Sequence, residues 1–519
     1  MRPHLFVTRG SLLNFACDAW LLPTDRALDV TGYWRSLPRL DERIAEVRTV
    51  AFSRGEALPL RPVFAAPTPI LTAVPDRPVR DSGDLAGLAD VARRLRTFVE
   101  VASVVARADR RTDRPLPLLA VPMFASSGGG SGAVRDALLT QQIEVLRKAA
   151  TEFDVDIAII TRHDDVHAFA QSRRRLDAAA WTALEEPMLA KARELAERAR
   201  RRRLVPFLGA GTSISAGGPS WIELLQKLGK RIRVEGDTAA ALGHKNVLDQ
   251  ASYLSALYDE KAQGSFAAAV AAEIGSLERY GLAPALLTAI DSEQAITLNY
   301  DRLFETAAED AGLPRAVIPG QHEGEHERWL LKLHGTVERP ETIVLTRDDY
   351  LGYDSSRRAL SSIVKATLAT RHLLFVGFGL TDDHFHEIVH DVRRAFPASG
   401  SGPLATALTL FADPLDERLW QGRLKLVPML PVPFDQARLG EAARLLEIFL
   451  DALSAHATDA HTYLLADGHE SALTSAELRL RQRISAMLSE ATAEERTTGA
   501  WQEVAAMSKR LGGGPPRDR

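Results

Sequence analysis

The chain has 519 residues, 45% of them hydrophobic and 25% charged, enough apolar material for a sizeable core in two or three domains. Its 64 Lys and Arg against 68 Asp and Glu leave a formal net charge of −4, which argues against nucleic acid as a direct partner. Cys17 is the only cysteine, which excludes an intrachain disulfide and a zinc ribbon and fits a reducing cytoplasm. No signal-type apolar run follows the N-terminus, and no stretch offers the roughly 18 to 20 mostly apolar residues of a membrane span. A cytoplasmic protein without a membrane partner is the expectation.

Residues 1–176 read as a first α/β domain. Strand candidates are Leu5-Phe-Val-Thr8, Ala19-Trp-Leu-Leu-Pro23, the buried-type run from Leu116 to Phe124, and Asp156-Ile-Ala-Ile-Ile-Thr161. Helix patterns cover 82–107 and 134–153, and strands alternating with helices imply a mainly parallel sheet. The glycine-serine run Ser126 to Gly132 joins a strand to a helix, and reads equally as a plain connection or as a phosphate cradle. Residues 177–203 read as a connecting helix with a break or fresh start at Pro187. The arginine runs 173–175 and 198–203 read as solvated helix faces.

Residues 204–455 form a second α/β domain. The apolar run Leu204 to Leu208 ends in Gly209-Ala-Gly-Thr-Ser213, where small hydroxyl residues look like the opening of a helix. A strand, a glycine turn and a helix N-terminus can bring bare backbone N–H groups against a pyrophosphate. Further strand candidates are 295–298, 343–346, 372–376 and 407–411. Residues 456–519 form a helical tail, with patterns over 475–488 and 493–511 and a stop at Gly512-Gly-Gly-Pro-Pro516. Leu480, Ile484, Met487 and Leu488 make an apolar stripe suited to packing on the second domain or on another copy.

Four motifs fall in order along the second domain: Gly209-Ala-Gly-Thr-Ser213, Thr297-Leu-Asn-Tyr-Asp301, Lys332-Leu-His-Gly335 and Phe375-Val-Gly-Phe-Gly-Leu-Thr-Asp382. Most sit at strand ends, so a parallel sheet would gather them at one carboxyl edge, where α/β folds bind ligands. Singly, Asn299 and Asp301 read as turn or cap residues and His334 as a structural histidine; the ordered set points to a site. Asp348, Asp349 and Tyr350 read as a helix start, Asp382 and Asp383 as either a cap pair or part of the site, and Trp221 as either pocket lining or core. His384 and His386 would face different sides of a helix, and no metal site is expected.

This ordered set resembles the sirtuin superfamily, and more closely its bacterial sirtuin-like NAD-cleaving branch in anti-phage defence proteins, over about residues 200–450. The resemblance implies a Rossmann-like parallel sheet with NAD as substrate. Gly209, Ala210, Gly211, Thr212 and Ser213 would hold the pyrophosphate and neighbouring ribose, Gly377 and Gly379 would let backbone approach the adenosine side, and Asp382 is a further cofactor-binding candidate. Asn299 would place the attacking water or the nicotinamide ribose, Asp301 the nicotinamide carboxamide, and His334 the ribose hydroxyls as general base or orienter. Cleavage of the N-glycosidic bond develops positive charge at the ribose, which needs polar groups that hold both fragments and a placed nucleophile. Histidine has the unperturbed pKa suited to proton work near neutrality.

Sirtuin deacylases carry a four-cysteine zinc module that a chain with one cysteine cannot have. Gln321-His-Glu-Gly-Glu-His326 reads as a solvated loop rather than a metal site, and Pro219 is followed by Ser220-Trp221 instead of the deacylase pattern. Water as acceptor, hence NAD hydrolysis, is the expected reaction. Mono-ADP-ribosyl transfer and a non-catalytic NAD or ADP-ribose sensor are the alternatives. The first domain resembles a macrodomain, the ADP-ribose-binding α/β fold, in Val7 to Leu22 and in Leu118-Leu-Ala-Val-Pro-Met123 with its glycine loop. It departs at Ser11 and Pro23-Thr-Asp25, leaving Asp18 and Gly128 to Gly130 to carry a nucleotide or ADP-ribose-type ligand. Together these imply a regulated, homo-oligomeric defence effector.

Overall fold

Mostly apolar, largely buried runs make the central strands of two sheets, the pattern of parallel α/β layers. The computed structural model describes residues 1–48, 57–64, 66–126, 130–261, 264–320, 327–380, 383–395 and 404–514. These fall into two compact units, residues 1–189 with 451–519, and residues 190–450. Among the described residues, no helix is long and apolar enough to cross a membrane.

In the first unit, β1 (Leu5–Arg9), β2 (Ala19–Thr24), β3 (Ala57–Pro59), β4 (Thr68–Ala73), β5 (Leu118–Val121) and β6 (Asp156–Thr161) form one sheet in the order β1-β6-β5-β2-β4-β3. Only β3 runs antiparallel, on β4. These two strands escape the sequence reading. β3 is only three residues long and β4 carries Pro69 in a short run, so neither has the length of a strand signal. Helices Leu85–Ala108 and Arg135–Phe153 press Val91, Leu95, Phe98, Leu139 and Leu146 into the core.

The tail packs with this unit, where the sequence suggested the second domain or another copy. Asp136 N–H donates to Gly468 O at 2.9 Å, Ser471 Oγ donates to Asp136 Oδ2 at 2.6 Å, and His469 Nε2 meets Asp165 Oδ2 at 3.1 Å. Ile484 and Leu488 cover Leu464, Leu465 and Leu473, but Leu480 and Met487 of the same stripe stay exposed. Asp451 completes the tie. Its fully buried carboxylate accepts from His4, Arg174 and the Trp181 indole, which holds well below the usual range a pKa that burial alone would raise.

In the second unit, β7 (Leu204–Leu208), β8 (Gln294–Thr297), β9 (Ala316–Ile318), β10 (Trp329–Lys332), β11 (His372–Val376), β12 (Ala405–Phe411) and β13 (Leu424–Leu430) make an entirely parallel, Rossmann-like sheet in the order β13-β12-β11-β7-β8-β10-β9. The four motif-bearing strands are therefore four consecutive neighbours, β11-β7-β8-β10. The chain leaves β7 toward β8 on one side and returns to its other side at β11, which makes the end of β7 a topological switch point. Register aligns the carboxyl ends: Leu208 stands beside Val376 and Thr297, and Thr297 beside Lys332.

The expected strand at 343–346 is absent. Ile343 and Leu345 are buried instead in a helical cluster with Leu224, Leu228 and Tyr258, so their apolarity reflects packing without a ladder. Conversely, β13 is an edge strand, which explains how it tolerates Pro428.

Candidate active site at the switch point

The glycine turn after β7 does not open directly into an α-helix. Two single 3-10 turns, Ala210–Thr212 and Ile214–Ala216, come first, and Gly217-Gly218-Pro219 separates them from the helix Trp221–Arg231, which Ser220 and Glu223 close with a capping box. Four of the five N–H groups from Gly209 to Ser213 are already bonded inside the protein: Gly209 to Val376 O, Gly211 to Gly377 O, Thr212 to Gly209 O and Ser213 to Ala210 O. The bare amide cradle suggested by the sequence is largely closed.

The glycines have another reason to be there. A Cβ on Gly209 would lie 2.4 Å from Gly377 O, one on Gly211 2.7 Å from Gly377 Cα, and one on Gly377 2.4 Å from Thr212 N. Gly377 also has φ +64. The loops after β7 and β11 interlock backbone to backbone, and only glycines permit it.

That interlock fixes a directed chain of side-chain hydrogen bonds. Thr212 Oγ1 donates to Gly209 O at 2.8 Å, and Ser213 Oγ donates to Asp301 Oδ2 at 2.7 Å. Both hydroxyl oxygens are then acceptors, for Asn299 Nδ2 at 3.2 and 3.1 Å. The amide can point only one way, and Asn299 Oδ1 is left as a buried acceptor without a partner. Asp301, 7% exposed, uses its other oxygen to accept from Leu303 N at 2.9 Å, a local turn just ahead of the helix Leu303–Asp310. In the first instance it orients Ser213.

His334 follows β10 and is 2% exposed, its ring edge-on to Tyr350 at 5.5 Å and to Tyr353 at 6.0 Å between centroids. Gly335, at φ +91 with Thr342 O only 2.1 Å from a would-be Cβ, makes the turn that follows. A cleft of about 630 Å³ opens over these groups. Gly209, Ala210, Gly211, Ser213, Asn299, Asp301, His334, Gly377 and Gly379 all line it, while Thr212 stands behind Asn299 and Asp382 lies outside the described residues. Trp221 lines the cleft too and also packs on the helical cluster, so both readings of it hold. The capping reading of Asp348 to Tyr350 fits a helix that starts at Arg347 behind a Thr346–Asp349 capping box, yet Tyr350 also reaches the cleft.

Sequence reasoning missed a buried ion pair beneath the site. Lys332, 1% exposed, donates to Glu305 Oε1 at 2.7 Å and to the backbone carbonyls of Tyr300 and Asp301, so it holds the strand end that presents Asn299. Burial pushes the Glu305 carboxyl up, and Lys332 offsets part of that rise. Nothing in the local sequence marks a pair 27 residues apart. Among the described residues no cluster of His, Cys, Asp and Glu is placed to hold a metal ion.

The first unit has a cleft of its own at the carboxyl ends of its strands, about 610 Å³, lined by Gly10, Ser11, Asp25, Tyr33, Trp34 and Arg162. The Arg162 guanidinium sits 5.1 Å above the Tyr33 ring. Asp18 is not part of it. At the opposite end of β2, its fully buried carboxylate accepts from Arg111 N, Thr112 N, Thr112 Oγ1 and Leu118 N, which makes it a staple within the protein rather than a ligand group. Of Gly128 to Gly130, the first two lie outside the described residues, and Gly130 takes φ +76.

Comparison with known proteins bears on the second unit. Residues 293–425 match the family model of the SIR2-like domain. The chain is 27% identical over 208 residues to defense-associated sirtuin 2 of Bacillus subtilis, a match covering 39% of this chain and 20% of that protein. It is 27% identical over 202 residues to the NAD(+) hydrolase ThsA of Bacillus cereus (strain MSX-D12), covering 37% and 40%, and 28% identical over 195 residues to that of Enterococcus faecium, covering 36% and 39%. The chain thus spans 20 to 40% of the length of these relatives.

Proposed function

We propose that residues 190–450 hydrolyse NAD at the bond between nicotinamide and ribose. Asn299 carries the proposal: it lines the switch-point cleft that His334 also lines, and its buried amide oxygen has no partner among the described residues, an acceptor left for a donor from a ligand. A ribose hydroxyl or the attacking water supplies one. In the reaction the glycosidic C–N bond breaks with its electron pair going to nicotinamide, water oxygen bonds to the ribose C1′, and His334 takes the proton that water loses. Ser213 and Asp301 keep Asn299 in place, with Asp301 reaching the carboxamide through its remaining lone pairs. The glycine turn and the loop through Gly377 and Gly379 bound the end of the cleft where the pyrophosphate and adenosine would lie. Relatives named NAD(+) hydrolase and defense-associated sirtuin support this reading, and with it a role in NAD depletion during anti-phage defence.

By the same proposal residues 1–176 are a macro-like module whose aromatic-lined cleft takes a nucleotide or ADP-ribose-type ligand and restrains or releases the hydrolase. The working form is a homo-oligomer in the cytoplasm. The test is nicotinamide release by the purified chain: Asn299→Ala and His334→Ala should each lose at least about 100-fold, the lower range for a removed acid–base group, while staying folded. Unchanged turnover in both variants would sink the assignment. Adenosine-labelled NAD separates the reactions, since label retained on protein would mean transfer in place of hydrolysis.

A further inference from the structure

A second cavity, about 250 Å³, lies behind the turn that carries His334 and is separate from the NAD cleft, sharing none of its lining residues. Lys332, Arg339 and Arg357 face it, and no carboxylate lines it among the described residues. The Lys332 charge is matched by Glu305. Among the described residues no carboxylate is hydrogen-bonded to either arginine: Arg339 donates to Pro319 O, and Arg357 donates to Leu333 O at 2.7 Å and to Thr342 O, all neutral carbonyls, with the Asp349 charge acting on Arg357 only through space. Arg357 stands where the helix Arg347–Thr370 leaves helical geometry, at φ −130 and ψ 20. Burial accordingly lowers its guanidinium pKa.

The geometry points to a binding site for a phosphate-type oxyanion, held between Arg339 and Arg357. Two guanidinium groups that line one small cavity, each with N–H donors beyond those given to the carbonyls, suit a tetrahedral oxyanion, and the volume suits a phosphate group better than a dinucleotide. The site bears on the catalytic turn through Arg357. The two carbonyls it holds, Leu333 and Thr342, flank His334 and Gly335, so an anion that bridges both guanidinium groups stiffens the turn presenting His334.

Calorimetric titration of the full chain in chloride buffer tests this without recourse to NAD cleavage. The probes are inorganic phosphate, a nucleoside monophosphate and the same nucleoside without phosphate. Saturable binding of phosphate or of the monophosphate is expected, weakened at least about tenfold in Arg339→Gln, the scale of one lost charge-assisted hydrogen bond. An Arg418→Gln control on the exposed face of another helix should bind as the parent does. Binding of inorganic phosphate names the free ion as ligand, and binding of the monophosphate alone names a phosphomonoester. No saturable binding at millimolar concentration of either, equal binding of the unphosphorylated nucleoside, or an affinity unchanged in a folded Arg339→Gln protein would overturn the site.

Discussion

Gly377→Ala isolates the backbone interlock at the switch point. At φ +64 an alanine costs about 1 to 2 kcal/mol for the left-handed conformation alone. Its Cβ would stand 2.4 Å from Thr212 N and 2.7 Å from Gly211 C, backbone atoms that cannot rotate away, and relief by shifting the loops adds about 1 to 3 kcal/mol on the scale of overpacked cores. The expected loss is therefore about 2 to 5 kcal/mol, a large part of a typical stability of about 5 to 15 kcal/mol. The shift also loosens the Gly211 N–H bond to Gly377 O and moves Thr212, which orients Asn299. Nicotinamide release should fall even where the protein stays folded.

Gly352→Ala is the matched control. Gly352 is exposed inside the helix Arg347–Thr370 with nothing within 4 Å of a Cβ, so the same change should gain up to about 1 kcal/mol. Urea unfolding followed by tryptophan fluorescence compares the two. A Gly377→Ala protein within about 0.5 kcal/mol of the parent would refute the interlock, because that is the scale of an indifferent surface change.

Three further outcomes are expected. Lys332→Met strands Glu305 as a buried unpaired carboxylate and should cost about 3 to 5 kcal/mol, of which the Lys332→Met/Glu305→Leu double variant recovers the share owed to the unpaired charge but not the lost bonds to the Tyr300 and Asp301 carbonyls; additive losses in a urea double-mutant cycle would contradict the pair. Burial, then the nearby charges of Arg9 and Arg174, pushes the His167 imidazole down to about 3 from 6.5, so the folded state binds fewer protons than the unfolded one between those values. Its share of stability is complete above 6.5 and is lost on acidification through that window by up to about 1.4 kcal/mol per pH unit, and urea midpoints of His167→Gln should show that share of the slope missing. Asp18→Ala leaves the N–H groups of Thr112 and Leu118 and the Thr112 hydroxyl without an acceptor and should destabilise by about 3 to 5 kcal/mol; a nucleotide bound at the first unit's cleft should keep its affinity in the folded fraction.

The carboxyl edge of the second sheet was legible because its strands end in residues with a reason to be at strand ends: Gly209, Asn299, His334 and Gly377 each follow a buried apolar run. The order of those strands was not legible, since neighbours are chosen by crossovers of the chain rather than by any one strand's composition. The apolar run at Ile343 misled because packing and pairing leave the same hydrophobic trace in one dimension. Asp18 misled because a carboxylate saturated by backbone donors looks, in sequence, like one offered to a ligand. The glycines are the instructive case. In sequence their lack of a side chain reads as room for a pyrophosphate, and in the fold that room is filled by the neighbouring loop. That contact brings Thr212 and Ser213 to Asn299 across more than 80 residues of sequence, at 3.2 and 3.1 Å. The amide is therefore oriented before any ligand arrives. In the proposed reaction, an acceptor set in advance meets its donor in the transition state without reorganising, which is how a rigid switch point contributes to catalysis with few charged groups.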